Sequence, residues 1–557
     1  MNYNLDTQER PTMNTKKEQN KNLVLAVLPL IIVALIMLPR LISPQFGLFD
    51  DGSMLVEVNR FVDHDWAMAH DVQAGRFRPI YWLYFLTIFS FAGPTPFWFF
   101  FGHFILFLVI IIEIRIIMHQ MRATNWQILV TSLIFIFSIP IVENFYTLSK
   151  GEPLQLAFTL ASIIFLNKIK DFSPKFPRWL SVLGAFITIL LAMMVKETTA
   201  ITIPVSIFCL GYTLLSKNKT FRTHQKSYLL FSASAIAAFI TYVFLRNNWG
   251  ATTLTGGTYT KGYSITFQSL SMHILRWTTL LAHYFHYLLP LGAISLLCFY
   301  KNKPKDSQKH NLIFWGVWTI SWLIVLFPWE YAKAYYLLPF SLGISVLIGL
   351  TLSKTITIIT QEKNAFRYIL ISGLALSLFL FLSTLSHYRT HAQIQLIFDR
   401  VNQDMLSFVK EKAPANEAVY TAIEQNNEYV INISLFLINH YHRTDITLDF
   451  IDANTLEYLS QTTHGLILMP VIVNQPNLLV RAGVIERFTM PWNQVVLGKL
   501  DQKIQLVNTY KESFQIFNIN FPVILCPILG ETGFCEIPDP LIDTREFSYG
   551  WEIYKIK

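Results

Sequence analysis

Residues 23–52 read LVLAVLPLIIVALIMLPRLISPQFGLFDDG, and the rest of the chain is read outward from this stretch. The run 23–39 is apolar over a bilayer-crossing length, and the acid pair Asp50-Asp51 follows a few residues later. Two adjacent carboxylates at a membrane–water boundary cost solvation and electrostatic energy, and packing does not require them there. The pair points to chemistry at the outer surface of a membrane.

Composition agrees with the membrane reading. Of 557 residues, 53% are apolar and 15% aromatic, and only 14% are charged. A soluble chain carries about 25% charged residues, so the expected class is a polytopic α-helical membrane protein. The net charge of +8 lies mostly in short loops between apolar runs, and no basic run interleaved with aromatics forms a nucleic-acid groove. The polar stretch 1–22 is expected as a cytoplasmic tail. No small-residue cleavage site follows, so the first helix is expected to be retained.

Apolar runs near 23–39, 97–118, 126–142, 153–167, 178–195, 199–216, 227–245, 275–300, 311–328, 334–353 and 366–386 predict about eleven transmembrane helices. The aromatic-rich segment 79–92 is short and ends in Gly93-Pro94-Thr95-Pro96, which predicts a helix lying in the outer interface. Positive charge supports this count. Lys16 and Lys17, Arg115 and Arg122, Lys168 and Lys170, Lys217 and Lys219, and Lys301 and Lys303 all fall in inner loops, and a span at 79–92 would invert the later ones. The predicted organisation is a transmembrane domain over 23–386 with a long first outer loop, 40–96, and an extracytoplasmic α/β domain over 387–557. That outer part should open with a helix near 392–413. Strand and helix signals then alternate through 418–422, 427–441, 446–448 and 465–469.

This topology gathers Asp50, Asp51, Arg76, Arg78, Glu143, Lys150, Glu152, Lys196, Glu197, Glu330 and Lys333 on the outer side. Ionisable residues beside apolar runs need a partner or a function. Lys196-Glu197 interrupts a nearly continuous apolar stretch; its plainer reading is a tight turn with snorkelling charges. For Asp50-Asp51 the plainer reading is a cap on a helix over Gly52–Arg60, and one carboxylate can cap while the other works. Arg78, beside Tyr81 and Trp82, suits a lipid phosphate through its forked donors, as an interfacial anchor also would. Lys333, within an aromatic belt, is a second phosphate candidate. His283 and His286 share one helix face, where hydrogen bonding within a bundle is commoner than metal ligation. Cys209 and Cys298 read as packing residues, whereas Cys526 and Cys535 could close a short loop by a disulfide. No glycine-rich phosphate loop is present, which argues against nucleotide hydrolysis.

Phe49-Asp50-Asp51-Gly52, with Asn59 eight residues on, resembles the acidic site in the first outer loop of GT-C membrane glycosyltransferases. Gly75-Arg76-Phe77-Arg78-Pro79-Ile80-Tyr81-Trp82 resembles the segment that follows in protein O-mannosyltransferases and aminoarabinose transferases. Gly93-Pro94-Thr95-Pro96-Phe97, Lys196-Glu197 and Tyr335-Tyr336-Leu337-Leu338-Pro339 fit the same pattern. The likeness covers roughly 23–353. It departs at Lys333, where relatives often carry arginine.

The resemblance implies transfer of a sugar from a polyprenyl-phosphate donor, with inversion, to an acceptor (lipid, glycan or protein) that the residues do not identify. Asp50 or Asp51 would be the general base, with Asp50 in that role in relatives. Arg78, Arg76 and Lys333, or a divalent cation, would meet the donor phosphate. The implied setting is a bacterial cytoplasmic membrane, with the site facing the periplasm or exterior. The rival classes are a flippase of lipid-linked sugars, which would carry its charges near mid-membrane, and a non-catalytic scaffold.

Overall fold

The computed structural model describes residues 13–48, 50–64, 71, 75–170, 177–216, 224–249, 266–301, 306–329, 332–361, 365–423, 428–462, 464–474, 491–520 and 540–557. Seven described helices are long and apolar enough to cross a membrane: Asn22–Ile42, Pro96–Gln120, Arg178–Val195, Glu197–Leu215, Gln225–Asn248, Ala334–Leu352 and the membrane part of Phe366–Lys412. In hydrocarbon every backbone N–H and C=O must be satisfied within the segment, which is why apolar runs become helices there.

The expected run 126–142 is a bent pair, Asn125–Ile136 and Ile139–Phe145, meeting at 63°. Counted as one span it makes eight. Its first half starts on a reciprocal cap, in which Gln127 N–H donates to Thr124 Oγ1 and Thr124 N–H donates to Gln127 Oε1. The second half restarts with Pro140 in its first turn, where a missing N–H costs nothing. The other three expected runs are helical as well. Run 275–300 is split into Phe267–Tyr284 and Leu288–Lys301, while 153–167 lies within Glu152–Lys170 and 311–328 is helical as Asp306–Leu326 up to its last two residues. The count of eleven therefore exceeds the helices that meet the length and polarity needed to cross. Segment 79–92 forms the short helix Pro79–Ala92, below crossing length.

One expectation is corrected outright. The last span and the outer helix near 392–413 are a single helix, Ala365–Lys412, 48 residues long. At 1.5 Å per residue it reaches about 72 Å, against about 30 Å of hydrocarbon, so its second half projects well beyond the bilayer.

That projecting half supports a sheet. The strands are β1 (Ala418–Thr421), β2 (Thr447–Phe450), β3 (Leu466–Val473), β4 (Ile504–Gln515), β5 (Asn518–Ile519), β6 (Ile542–Asp543) and β7 (Glu546–Ile556). The main sheet runs β2-β1-β3-β7-β4, with β2, β1 and β3 parallel and β7 antiparallel to both β3 and β4. β5 pairs separately with β6. The signals at 418–422, 446–448 and 465–469 all become strands, and the helix Glu428–Leu435 joins the first two.

Side chains alternate across the sheet as the strand period requires. Val419, Leu466 and Leu468 face the main core, while Tyr420, Ile467 and Met469 pack with Leu456, Val496 and Leu500 on the opposite face. The long helix covers the first face. Phe398 lies 4.3 Å from the Tyr549 ring, and Asn402 Oδ1 accepts from both Tyr549 Oη (2.6 Å) and Trp551 Nε1 (2.8 Å).

Candidate active site at one end of the bundle

The first span ends at Ile42 and the chain turns through 43–48 into the helix Asp51–Val62. Asp50 stands at that helix's N-cap position, but in the left-handed region (φ 67°) and with no side-chain cap hydrogen bond. Such a conformation costs a non-glycine residue about 1–2 kcal/mol, least for Asp and Asn. The capping explanation for Asp50 therefore does not hold. Its carboxylate instead turns to Lys150, whose Nζ lies 3.0 Å from Oδ2, and Ser149 Oγ donates to the same oxygen at 3.3 Å.

Asp51 points the other way. It is buried; its Oδ2 accepts from Gly47 N–H at 2.7 Å, and its Oδ1 has no hydrogen-bond partner among the described residues. Burial, opposed by the Gly47 hydrogen bond and reinforced by the charge of Asp399, pushes its carboxyl up to about 8. Of the pair, Asp50 is the accessible one, with its side chain 38% exposed.

Lys150 leads to the rest of the cluster. Its Nζ sits 4.8 Å from the centre of the Tyr335 ring. Lys196 lies over the same residues, 5.9 Å from the Tyr335 ring and 4.2 Å from that of Tyr336, and it pairs with the buried Glu152. Cations over aromatic faces keep part of their favourable environment when partly withdrawn from water. Lys196 ends the helix Arg178–Val195 in extended backbone. Gln155 Nε2, donating to Thr198 Oγ1 and Thr199 Oγ1 at 2.9 and 2.8 Å, fastens the turn that follows. The short helical turn Ala334–Leu337 presents the two tyrosines, and Asn144 Nδ2 anchors it by donating to Tyr335 O at 3.0 Å.

A second acid–base group adjoins this one. Arg78 donates to both carboxylate oxygens of Asp71, at 3.1 Å from Nε and 2.6 Å from Nη2, and Trp82 Nε1 donates to Asp71 at 2.6 Å. Arg76 Nε lies 3.6 Å from the same carboxylate. Burial alone would raise the Asp71 carboxyl, but the Arg78 and Arg76 charges and the hydrogen bonds outweigh it and hold it below the usual range. The Arg78 guanidinium also rests 4.5 Å over the Tyr81 ring, and Tyr81 Oη donates to Ser149 O at 3.0 Å, which links this group to the Lys150 loop. Arg78 is thus an anchored cation, with much of its fork engaged by Asp71.

The other expected residues are dispersed. Glu143 is buried beside His391 (3.8 Å to Nδ1) and near Tyr284. Glu197 is exposed at the start of its short turn, and Asn59 is exposed on the helix after the acid pair. Lys333 precedes the tyrosine turn and is half-buried. His286 Nδ1 lies 2.8 Å from His283 O, a contact within its own turn. Phe49, Glu330, Cys526 and Cys535 lie outside the described residues. Among the described residues no group of three or more His, Cys, Asp or Glu side chains is arranged to hold a metal ion, and Asp50 faces a lysine.

Three residues of the site had not been singled out in the sequence. Asp71 is one. The others are Arg40 and Asp399, whose buried side chains meet at 2.6 Å beside the acid loop. Arg40 carried a signal, since a cation at the end of the first span expected to face outward runs against the inside bias of positive charge. Asp399 sits in a helix with many charges, where nothing distinguishes it.

No protein-family model and no curated protein matches this chain. Among solved structures it is similar to ArnT from Cupriavidus metallidurans bound to undecaprenyl phosphate. The identity is 10% and the TM-score 0.47, over 94% of this chain and 97% of that one. It is also similar to the archaeal oligosaccharyltransferase AglB from Archaeoglobus fulgidus, in complex with an inhibitory peptide and a dolichol-phosphate. There the identity is 10% and the TM-score 0.48, over 81% of this chain and 69% of that one. Arabinofuranosyltransferase AftD from Mycobacteria matches at 12% identity and a TM-score of 0.44, over 97% of this chain but only 40% of its own. These neighbours are GT-C glycosyltransferases, the group that the sequence motifs resemble.

Proposed function

We propose that this chain is an integral-membrane glycosyltransferase that takes a sugar from a polyprenyl-phosphate donor and passes it to an acceptor at the outer face of the membrane. One observation carries the reading. Asp50, Lys150, Glu152 and Lys196, from three separate segments, converge on the Tyr335-Tyr336 turn at one end of the bundle. An accessible carboxylate beside one buried and one partly buried ammonium group suits a base and a leaving phosphate at one site.

In this reading Asp50 is the general base. It accepts the proton of an acceptor hydroxyl or amine as that atom attacks the anomeric carbon. The bond from that carbon to the phosphate oxygen breaks on the opposite face, and the configuration inverts. The departing lipid phosphate gains charge, which Lys150 and Lys196 are placed to meet, with Arg78 and Lys333 as further candidates. Asp51, buried and raised toward neutrality, shapes the loop through Gly47. No step runs through a metal ion. The charge pattern of the loops supports a site on the outer face of the membrane, and the family resemblance supports a bacterial cytoplasmic membrane with that face toward the periplasm or exterior.

The test is sugar transfer by purified protein from polyprenyl-phosphate donors, comparing wild type with Asp50→Asn and Asp51→Asn after each is shown to be monodisperse. Loss of turnover in Asp50→Asn, by about 100-fold or more, supports the reading. Full turnover in both variants removes the carboxylates from the mechanism. A wild type inert toward a broad panel of donors and acceptors moves the assignment to a lipid-sugar flippase or a scaffold.

A further inference from the structure

The loop that bears the acid pair is gripped from outside the membrane bundle at two points. At its near end, Gly47 lies so close to Asp399 that a Cβ on the glycine would come within 2.8 Å of Asp399 Oδ1. Asp399 itself cannot easily yield. Its Oδ2 receives Arg40 Nη2 at 2.6 Å, its Oδ1 receives Gln395 Nε2 at 3.0 Å, and both ion-pair side chains are 3% exposed or less. At the far end, Ser53 N–H donates to Asn432 Oδ1 at 3.1 Å, and a Cβ on Gly52 would meet that same oxygen at 2.7 Å. Asp50 and Asp51 lie between the two grips. Both gripping residues come from late in the chain, Asp399 from the projecting half of Ala365–Lys412 and Asn432 from Glu428–Leu435.

Arg40 extends the connection to the cation side. The Nη2 that meets Asp399 also donates to Tyr146 O at 2.5 Å, in the segment leading to Lys150, and the guanidinium packs 4.8 Å over Phe100. One buried side chain thus joins the first span, the long helix and the Lys150 segment. Burying two charges costs several kcal/mol per ion and adds little stability over apolar packing, so such a pair is better understood as fixing an arrangement.

We propose that Asp399 and Asn432 are positioning residues for the reaction assigned above, and that the sheet-bearing part of the chain sets the acid loop against Lys150 through them. This rests on the proposed function for its kinetic consequence but not for its structural one. It gives the outer part a role other than acceptor binding or a cover. Removing a grip would let the loop carrying Asp50 drift without touching donor or acceptor directly, and a displacement of about 1 Å costs on the order of 100-fold in rate.

The experiment uses the full chain in lipid nanodiscs, with Asn432→Ala, Asn432→Asp and Asp399→Asn. Two quantities are read: amide hydrogen exchange across 43–54, and kcat and donor KM for sugar transfer. Asn432→Ala should speed exchange in this loop and lower kcat by about 100-fold while donor KM stays put. Asn432→Asp keeps the acceptor for Ser53 N–H and should restore both. Asp399→Asn should act in the same direction as Asn432→Ala, and if its orphaned Arg40 prevents folding the Asn432 pair decides alone. Exchange unchanged in Asn432→Ala overturns the proposal. So does faster exchange with wild-type kcat, or Asn432→Asp behaving as Ala. Should the wild type transfer no sugar, the functional assignment fails by itself. Exchange then decides this inference: faster in Asn432→Ala and normal in Asn432→Asp upholds the grip, and any other pattern overturns it.

Discussion

Lys150 holds its Nζ 3.0 Å from Asp50 Oδ2, although the two partners stand 100 positions apart in the chain. The lysine is the buried member, its side chain 5% exposed, while the aspartate opens toward solvent. Such a pair orients a carboxylate and keeps a cation available at the same place. Replacing Lys150 by Met removes both effects with little change in volume. We expect kcat/KM for donor to fall by about 100-fold or more, with Lys150→Arg retaining part of it, as measured by steady-state transfer.

Lys196 and Glu152 make a second, graded test. Lys196→Met should lower donor turnover by at least about 10-fold, because it removes the ammonium over Tyr336. Glu152→Gln leaves that charge in place and should cost less. Equal losses in the two variants would make the pair structural. Kinetics on matched, monodisperse preparations separate the outcomes.

Asp51 predicts a pH dependence of stability with a definite sign. Its carboxyl is raised from 3.8 to about 8, so between those values the folded state holds a proton that the unfolded state has released. The contribution is fully present below about pH 4 and declines by about 1.4 kcal/mol per pH unit until about pH 8. Asp51→Asn lacks this titration. Thermal melts from pH 5 to pH 9 should show wild type losing stability relative to Asp51→Asn as pH rises. A constant offset would contradict the burial of an ionisable Asp51.

Asp71 carries the opposite sign. Held below its ordinary 3.8 by Arg78 and its neighbours, it contributes stability above that value and loses it as pH falls. Asp71→Ala would strand Arg78 and the Trp82 indole N–H, and should destabilise the protein by about 3 kcal/mol near neutral pH, read from denaturation midpoints.

Asn402 supplies a test of the outer architecture. Tyr549 and Trp551 both donate to its Oδ1 under the long helix. Asn402→Ala leaves two buried donors unpaired and should cost about 3 kcal/mol, with Asn402→Asp costing less because an acceptor remains. Thermal unfolding of the full chain measures the difference.

Much of the local architecture was legible. Residues 418–422, 446–448 and 465–469 announced strands, found at 418–421, 447–450 and 466–473, and the apolar runs announced helices, because a pleated strand and a membrane helix each impose a period or a length on the chain itself. Breaks were harder. The run 275–300 is largely apolar yet divides after Tyr284, and the join of 366–386 to 392–413 shows no break at all. Hydrophobicity marks which residues avoid water, and it does not say whether a helix continues beyond the bilayer.

The candidate site divides in the same way. Asp50, Asp51, Lys150, Glu152 and Lys196 stood out one at a time, because a charge beside an apolar run is costly wherever the chain folds. Pairing did not follow from that cost. Asp50 chose Lys150 and Lys196 chose Glu152, while Glu143 went to His391 and Arg78 to Asp71. Arg40 and Asp399 lie 359 residues apart and meet only because the first span and the long helix pack together. Coulomb energy and hydrogen bonding act over a few ångströms, so partners are selected by the packing that brings them there. The amino-acid sequence alone determined that this chain enters a membrane and carries unpaid charge at one face. Only the tertiary structure decided which charges pair at that end and which hold the loop between them.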